Sequence, residues 1–183
     1  MKANFAHCWC ATVVAALVTG SPVVAQTAQP FESLMHPPME AYRNPDGSIA
    51  RLRNSIVSAH WSGYAVNSSA PYSSASGTFQ VPSVTYDGLA NTTEYVSDWV
   101  GIGGYGDSTL IQLDAMEIAS TSDTVSYLVW YELYPAGTQL IPHSVKPGDI
   151  ITASLQCTAA CSPSSVQTWQ LSMSDQTAGW SWT

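Results

Sequence analysis

Positive charge is scarce in this chain: five Lys and Arg stand against 13 Asp and Glu, for a formal net charge of −8 at pH 7. So few cations cannot neutralise a phosphate backbone, which argues against nucleic acid as a partner. Charged residues make up only 10% of the chain. A fold with few salt bridges loses little when carboxylates protonate, so this composition suits a protein that stays folded in acid. Long apolar runs are missing as well. The run from about Cys8 to Val18 is too short to span a bilayer and no later segment is longer, so no membrane association is expected. Nothing reads as a long amphipathic helix.

Familiar catalytic signatures are absent too. There is no Gly-x-Ser-x-Gly elbow and no His-Glu-x-x-His zinc motif. Gly101-Ile102-Gly103-Gly104-Tyr105-Gly106 matches a dinucleotide fingerprint in letters, but β-type sequence follows it where that fingerprint requires a helix. Of the four histidines, His60 and His143 fall in the main body of the chain, and neither has a nucleophile candidate near it in sequence. Cys157 and Cys161 have no further Cys or His close by to complete a metal site. Neither a metal nor a cofactor is expected.

What is present divides the chain into three. Lys2, the short apolar run and the small residues Val23-Val24-Ala25 have the layout of a secretory signal over residues 1–25. The product is expected to be secreted, extracellular or periplasmic, and to begin near Gln26. Cys8 and Cys10 leave with the signal. In an oxidising compartment Cys157 and Cys161 could close a small loop around Thr158-Ala159-Ala160, the alternative being two free thiols that fill core space. Residues 26–58 carry four prolines and the turn signal Asn44-Pro45-Asp46-Gly47 without apolar periodicity, and read as a propeptide or linker.

From residue 59 to 183 short segments rich in Val, Ile, Thr, Tyr and Trp alternate with Gly, Pro, Ser and Asp clusters. This pattern predicts an all-β antiparallel sandwich of two packed sheets. Strands are expected at 63–66, 75–80, 95–102, 109–118, 125–134, 150–156, 166–173 and 179–183. Tyr127–Tyr134 is apolar on both faces and should be central. Trp169, Leu171 and Met173 alternate with polar residues and should be half exposed.

One residue does not fit its strand. Gln112 follows Leu110-Ile111 after the turn of Trp99-Val100-Gly101-Ile102-Gly103-Gly104. An amide among hydrophobes costs about 1–3 kcal/mol unless its hydrogen bonds are made. It is there either for chemistry or as a hydrogen-bonded core amide.

Six segments occur in an order that resembles the glutamic peptidase family, the eqolisins. They are Trp61-Ser62-Gly63-Tyr64, Gly77-Thr78-Phe79-Gln80-Val81-Pro82, Trp99–Gly104, Leu110-Ile111-Gln112, Trp130-Tyr131-Glu132-Leu133-Tyr134-Pro135 and Pro147-Gly148-Asp149-Ile150. The resemblance runs from about Trp61 to Trp182. It implies an exported, acid-active endopeptidase made as a proprotein, taking polypeptide substrates in a cleft on one sheet. By this resemblance Gln112 is catalytic, its amide bonding the oxyanion of the tetrahedral intermediate. A glutamate acts as general base on the attacking water and then as general acid to the leaving amine. Trp99 and Glu132 match cleft-lining positions, although Trp99 also suits core packing and Glu132 the polar rim of a sheet.

The sequence departs from the family pattern in two places. The catalytic glutamate of the family lies in a later Ala-Glu-(Trp/Phe)-Ile-(Ile/Val)-Glu type segment, which is not found here; the alignment stops at Trp180-Ser181-Trp182-Thr183. The expectation is a sandwich incomplete at its C-terminus, either a fragment of a longer peptidase or a truncated and inactive relative. A third option gives the base role to Asp114, Glu117 or Glu132. The usual aspartate of the turn is also Gly103 here. The protein is expected to be a monomer. The reading from another class is a secreted, non-catalytic β-sandwich that binds peptide or glycan through its seven Trp and nine Tyr. A secreted structural domain without a ligand is the blandest alternative.

Overall fold

The structure, a computed structural model, describes residues 38–53, 55–58, 60–88, 91–106 and 108–183. The predicted signal and the first part of the predicted propeptide, to residue 37, lie outside the described residues. Ten strands and no helix occur among the described residues: β1 (Arg51–Leu52), β2 (Ser55–Ile56), β3 (Ser74–Gln80), β4 (Glu94–Gly103), β5 (Leu110–Ala119), β6 (Val125–Tyr134), β7 (Gln139–Leu140), β8 (Ile150–Ala159), β9 (Thr168–Asp175) and β10 (Trp180–Trp182). β1 and β2 form a small hairpin. The others build two antiparallel four-stranded sheets, ordered β10-β9-β8-β3 and β4-β5-β6-β7.

Alternation decides which side chains meet between the sheets. Ala153 and Leu155 of β8 and Trp169, Leu171 and Met173 of β9 face Val100, Leu113, Ala115 and Val129 of the other sheet in one buried cluster. On β9 their neighbours Thr168 and Gln170 are exposed, so this strand has the half-exposed pattern read from the sequence. Gly77 on β3 brings the sheets close, since a Cβ there would lie 2.8 Å from Val100 Cγ2. β6 is an interior strand, paired to β5 and β7. β5 is buried along almost its whole length, on both faces.

Three details differ from expectation. Residues 63–66 form no strand: they are exposed, and Gly63 stands at φ 142°. Residues 41–58, read as featureless apart from one turn, carry the β1–β2 hairpin and the bridges Ala41–Ser58 and Arg43–Ile49. The Asn44–Gly47 turn is closed by Asp46, whose carboxylate accepts from Ser48 N at 2.9 Å. β7 has only two residues, too few to leave a pattern. Cys157 and Cys161 are joined by a disulfide with Cα atoms 5.8 Å apart.

Candidate functional site

A tight turn sets the site. Ser120 N donates to Thr124 O at 2.9 Å, and Asp123 takes the left-handed conformation at φ 58°. This turn pairs Ala119 with Val125, and the ladder then carries the same register to Gln112 and Glu132. On the other side Gln112 pairs with Gly101. The row Gly101, Gln112, Glu132 therefore crosses three strands, with Trp99, Asp114 and Trp130 as the next row on the same face. Leu113, Ala115 and Val129 point into the inter-sheet core, so these two rows lie on the sheet's opposite face.

Gln112 Nε2 donates to Glu132 Oε2 at 2.8 Å. Gln112 is 2% exposed and Glu132 fully buried. The amide that the sequence left unexplained has a carboxyl acceptor one strand away. Gly101 makes room beside it: a Cβ there would lie 2.8 Å from Trp99 Cζ3, 2.9 Å from the carbonyl oxygen of Ile111 and 3.1 Å from Gln112 Cβ. Trp99 meets Trp61 edge-on, with ring centroids 4.7 Å apart. Gly103, where the family pattern has aspartate, adopts φ 85°, a left-handed conformation that glycine takes without cost.

A cleft of about 600 Å³ opens next to this face, lined by Arg51, Leu52, Trp61, Tyr64, Trp99 and Tyr105 among others. Trp99 thus stands between the cleft and the buried pair. Neither Gln112 nor Glu132 lines that cleft; both lie behind Trp99, bonded to each other.

Sequence reasoning gave little weight to the acidic residues of β4 and β5. Asp114 is fully buried between Trp99 and Trp130. Burial pushes its carboxyl well above the ordinary range, and the nearby negative charges of Glu117, Asp98 and Glu132 add to that. Ser97 works in the opposite direction without reaching hydrogen-bond geometry. Glu117 lies on the inter-sheet face, in the row of Val96 and Tyr127. Burial, then the charge of Asp98, pushes it up to about 9. The available signal was their placement: Asp98, Asp114 and Glu117 interrupt strands that are otherwise mostly apolar. The histidines lie elsewhere. His60 Nε2 is 3.3 Å from Pro38 O, and His143 stacks on Trp180 at 4.5 Å. Among the described residues no group of three or more His, Cys, Asp or Glu is arranged to hold a metal ion.

This arrangement holds a primary amide in one orientation inside a poorly solvated sheet, next to an aromatic cleft. Such a fixed N–H dipole can stabilise a developing oxyanion. A family model for the Peptidase A4 family matches residues 59–183. No curated protein and no solved structure matches.

Proposed function

The chain belongs to the Peptidase A4 family, the glutamic peptidases, and from that premise we propose that it is a secreted, acid-active endopeptidase in which Gln112 is the oxyanion donor. Membership carries a peptidase function in general terms. The observation behind the finer reading is the buried Gln112–Glu132 hydrogen bond at 2.8 Å, one row from Trp99 at the cleft.

In this reading the Trp99 ring, which stands between the cleft and Gln112, moves aside to let the scissile carbonyl of a bound substrate reach the amide. A glutamate takes the proton of the attacking water and returns it to the leaving amine. Glu132 is ill placed for that step, because it is fully buried and already accepts from Gln112. The family resemblance assigns the step to the later Ala-Glu-x-Ile-x-Glu type segment, so turnover is expected from a chain that includes it. Asp114 and Glu117 suit a protein that works in acid through stability alone, since their burial favours the neutral carboxyl and so the folded state at low pH.

The test is hydrolysis of a denatured protein at acid pH by the secreted chain in a version extended to include such an Ala-Glu-x-Ile-x-Glu type segment. Cleavage that resists pepstatin-type and serine-directed inhibitors is the expected result. Cleavage only at neutral pH, or abolished by those inhibitors, would remove the reading. The aromatic cleft also suits a module that binds peptide without cutting it. Saturable peptide binding with no hydrolysis by the extended chain would favour that second reading.

A further inference from the structure

A glutamine side chain has an ambiguity that a catalytic oxyanion donor cannot keep. Its Oε1 and Nε2 ends have nearly the same shape, and rotation of the amide exchanges a donor for an acceptor. An acceptor aimed at the oxyanion would repel it. Something must therefore fix which end faces which way.

Glu132 is built to do this. It sits directly opposite Gln112 in the β5–β6 ladder, so the backbone sets the distance between the two Cβ atoms. It accepts from Nε2 at 2.8 Å, within the range of a charge-assisted hydrogen bond. Both side chains are buried, so water does not compete for either. On the other side of the row Gly101 offers no side chain. A flipped amide would turn its oxygen toward the carboxylate and lose the bond. Nitrogen carries both N–H groups, so holding one of them also sets the direction of the other.

We propose that Glu132 is the positioning residue of the site, its carboxylate holding the Gln112 amide with the nitrogen end in the working orientation. The proposal rests on the reading of Gln112 as oxyanion donor. In this role Glu132 acts through Gln112 and not on the substrate itself.

The first readout is independent of turnover: solvent exchange of the Gln112 side-chain NH2 protons in the native chain by heteronuclear NMR, with the signal assigned by its loss in Gln112→Met. In the native chain one of these protons should be protected. Glu132→Gln still offers an oxygen acceptor and should keep most of the protection. Glu132→Leu should lose it by roughly ten- to a hundredfold, the equivalent of one hydrogen bond to a charged group, while backbone amides of Leu113 and Ala115 exchange as before. If Glu132→Leu does not fold, Glu132→Asp serves, since it keeps the charge but withdraws the acceptor by one methylene. Protection undiminished in either variant overturns the proposal.

The second readout is kinetic, on the extended chain. Glu132→Leu should lower kcat with KM within about twofold, and Glu132→Gln should restore most of the rate, whereas a general base at Glu132 would be lost equally in both. Unchanged kcat in Glu132→Leu also overturns the proposal. Protection without any turnover by the native site would instead retire Gln112 as oxyanion donor, leaving the pairing in place.

Discussion

At the scale of single residues, the site reduces to one amide and what holds it. The amide was legible in the sequence, because Gln112 interrupts an apolar strand and stands in the Leu-Ile-Gln segment of the family pattern. Its partner was not. Glu132 lies 20 residues away, and which side chain meets Gln112 depends on the register set by the Ser120–Thr124 turn. A slip of one residue would put Glu132 on the other face of the sheet. This pairing makes Gln112→Glu a sharp variant: it puts a second carboxyl against a buried one and replaces a donor with an acceptor. Two like charges at hydrogen-bond distance cannot both ionise, so at least one must take up a proton. Near-complete loss of peptidase activity is expected, read as kcat on the extended chain. Substantial activity in this variant would detach the amide from the reaction.

Among the elements, the long strands were readable from alternation and the short ones were not. β3, β5, β6 and β9 present apolar side chains at every second position or on both faces. The β1–β2 hairpin and β7 contribute two residues per strand, below the length at which a period can be seen. Residues 63–66 mimic a strand in composition yet stay exposed, because no neighbouring strand pairs with them among the described residues. Within β4, Gly101 is the most constrained position of the site. An added methyl would meet the Trp99 ring, which can shift, and the Ile111 carbonyl oxygen at 2.9 Å, which cannot move without disturbing the ladder. Gly101→Ala should therefore destabilise the fold by about 1–3 kcal/mol, the usual cost of overpacking. Urea denaturation followed by tryptophan fluorescence measures it, and an unchanged midpoint would contradict this packing.

For the whole molecule, the buried acids determine how stability depends on pH. Glu117 rises from an ordinary 4.5 to about 9 on folding, and Asp114 moves in the same direction. Below the ordinary value both states hold the proton and the groups contribute no slope. Between 4.5 and about 9 the unfolded chain releases a proton that folded Glu117 keeps. Stability must fall through that window, by about 1.4 kcal/mol per pH unit for each such group. The fold is therefore expected to be most stable in acid and to weaken toward neutral pH. Glu117→Gln should flatten that dependence in urea titrations between pH 5 and 8. A native chain whose stability rises across this window would contradict the burial of these groups. The sequence hinted at acid tolerance through its few cations, but only the packed structure shows carboxyls placed where protons favour folding.

The central claim is that the Gln112 amide, held in one orientation, stabilises the oxyanion of peptide hydrolysis. The most direct measurement is the steady-state kinetics of Gln112→Ala at acid pH on the extended chain, with kcat and KM separated. The account predicts a loss in kcat of roughly 10²–10³, the usual cost of one oxyanion-hole donor, with KM little changed. A variant that keeps the native kcat, or that loses substrate binding with kcat intact, would contradict it.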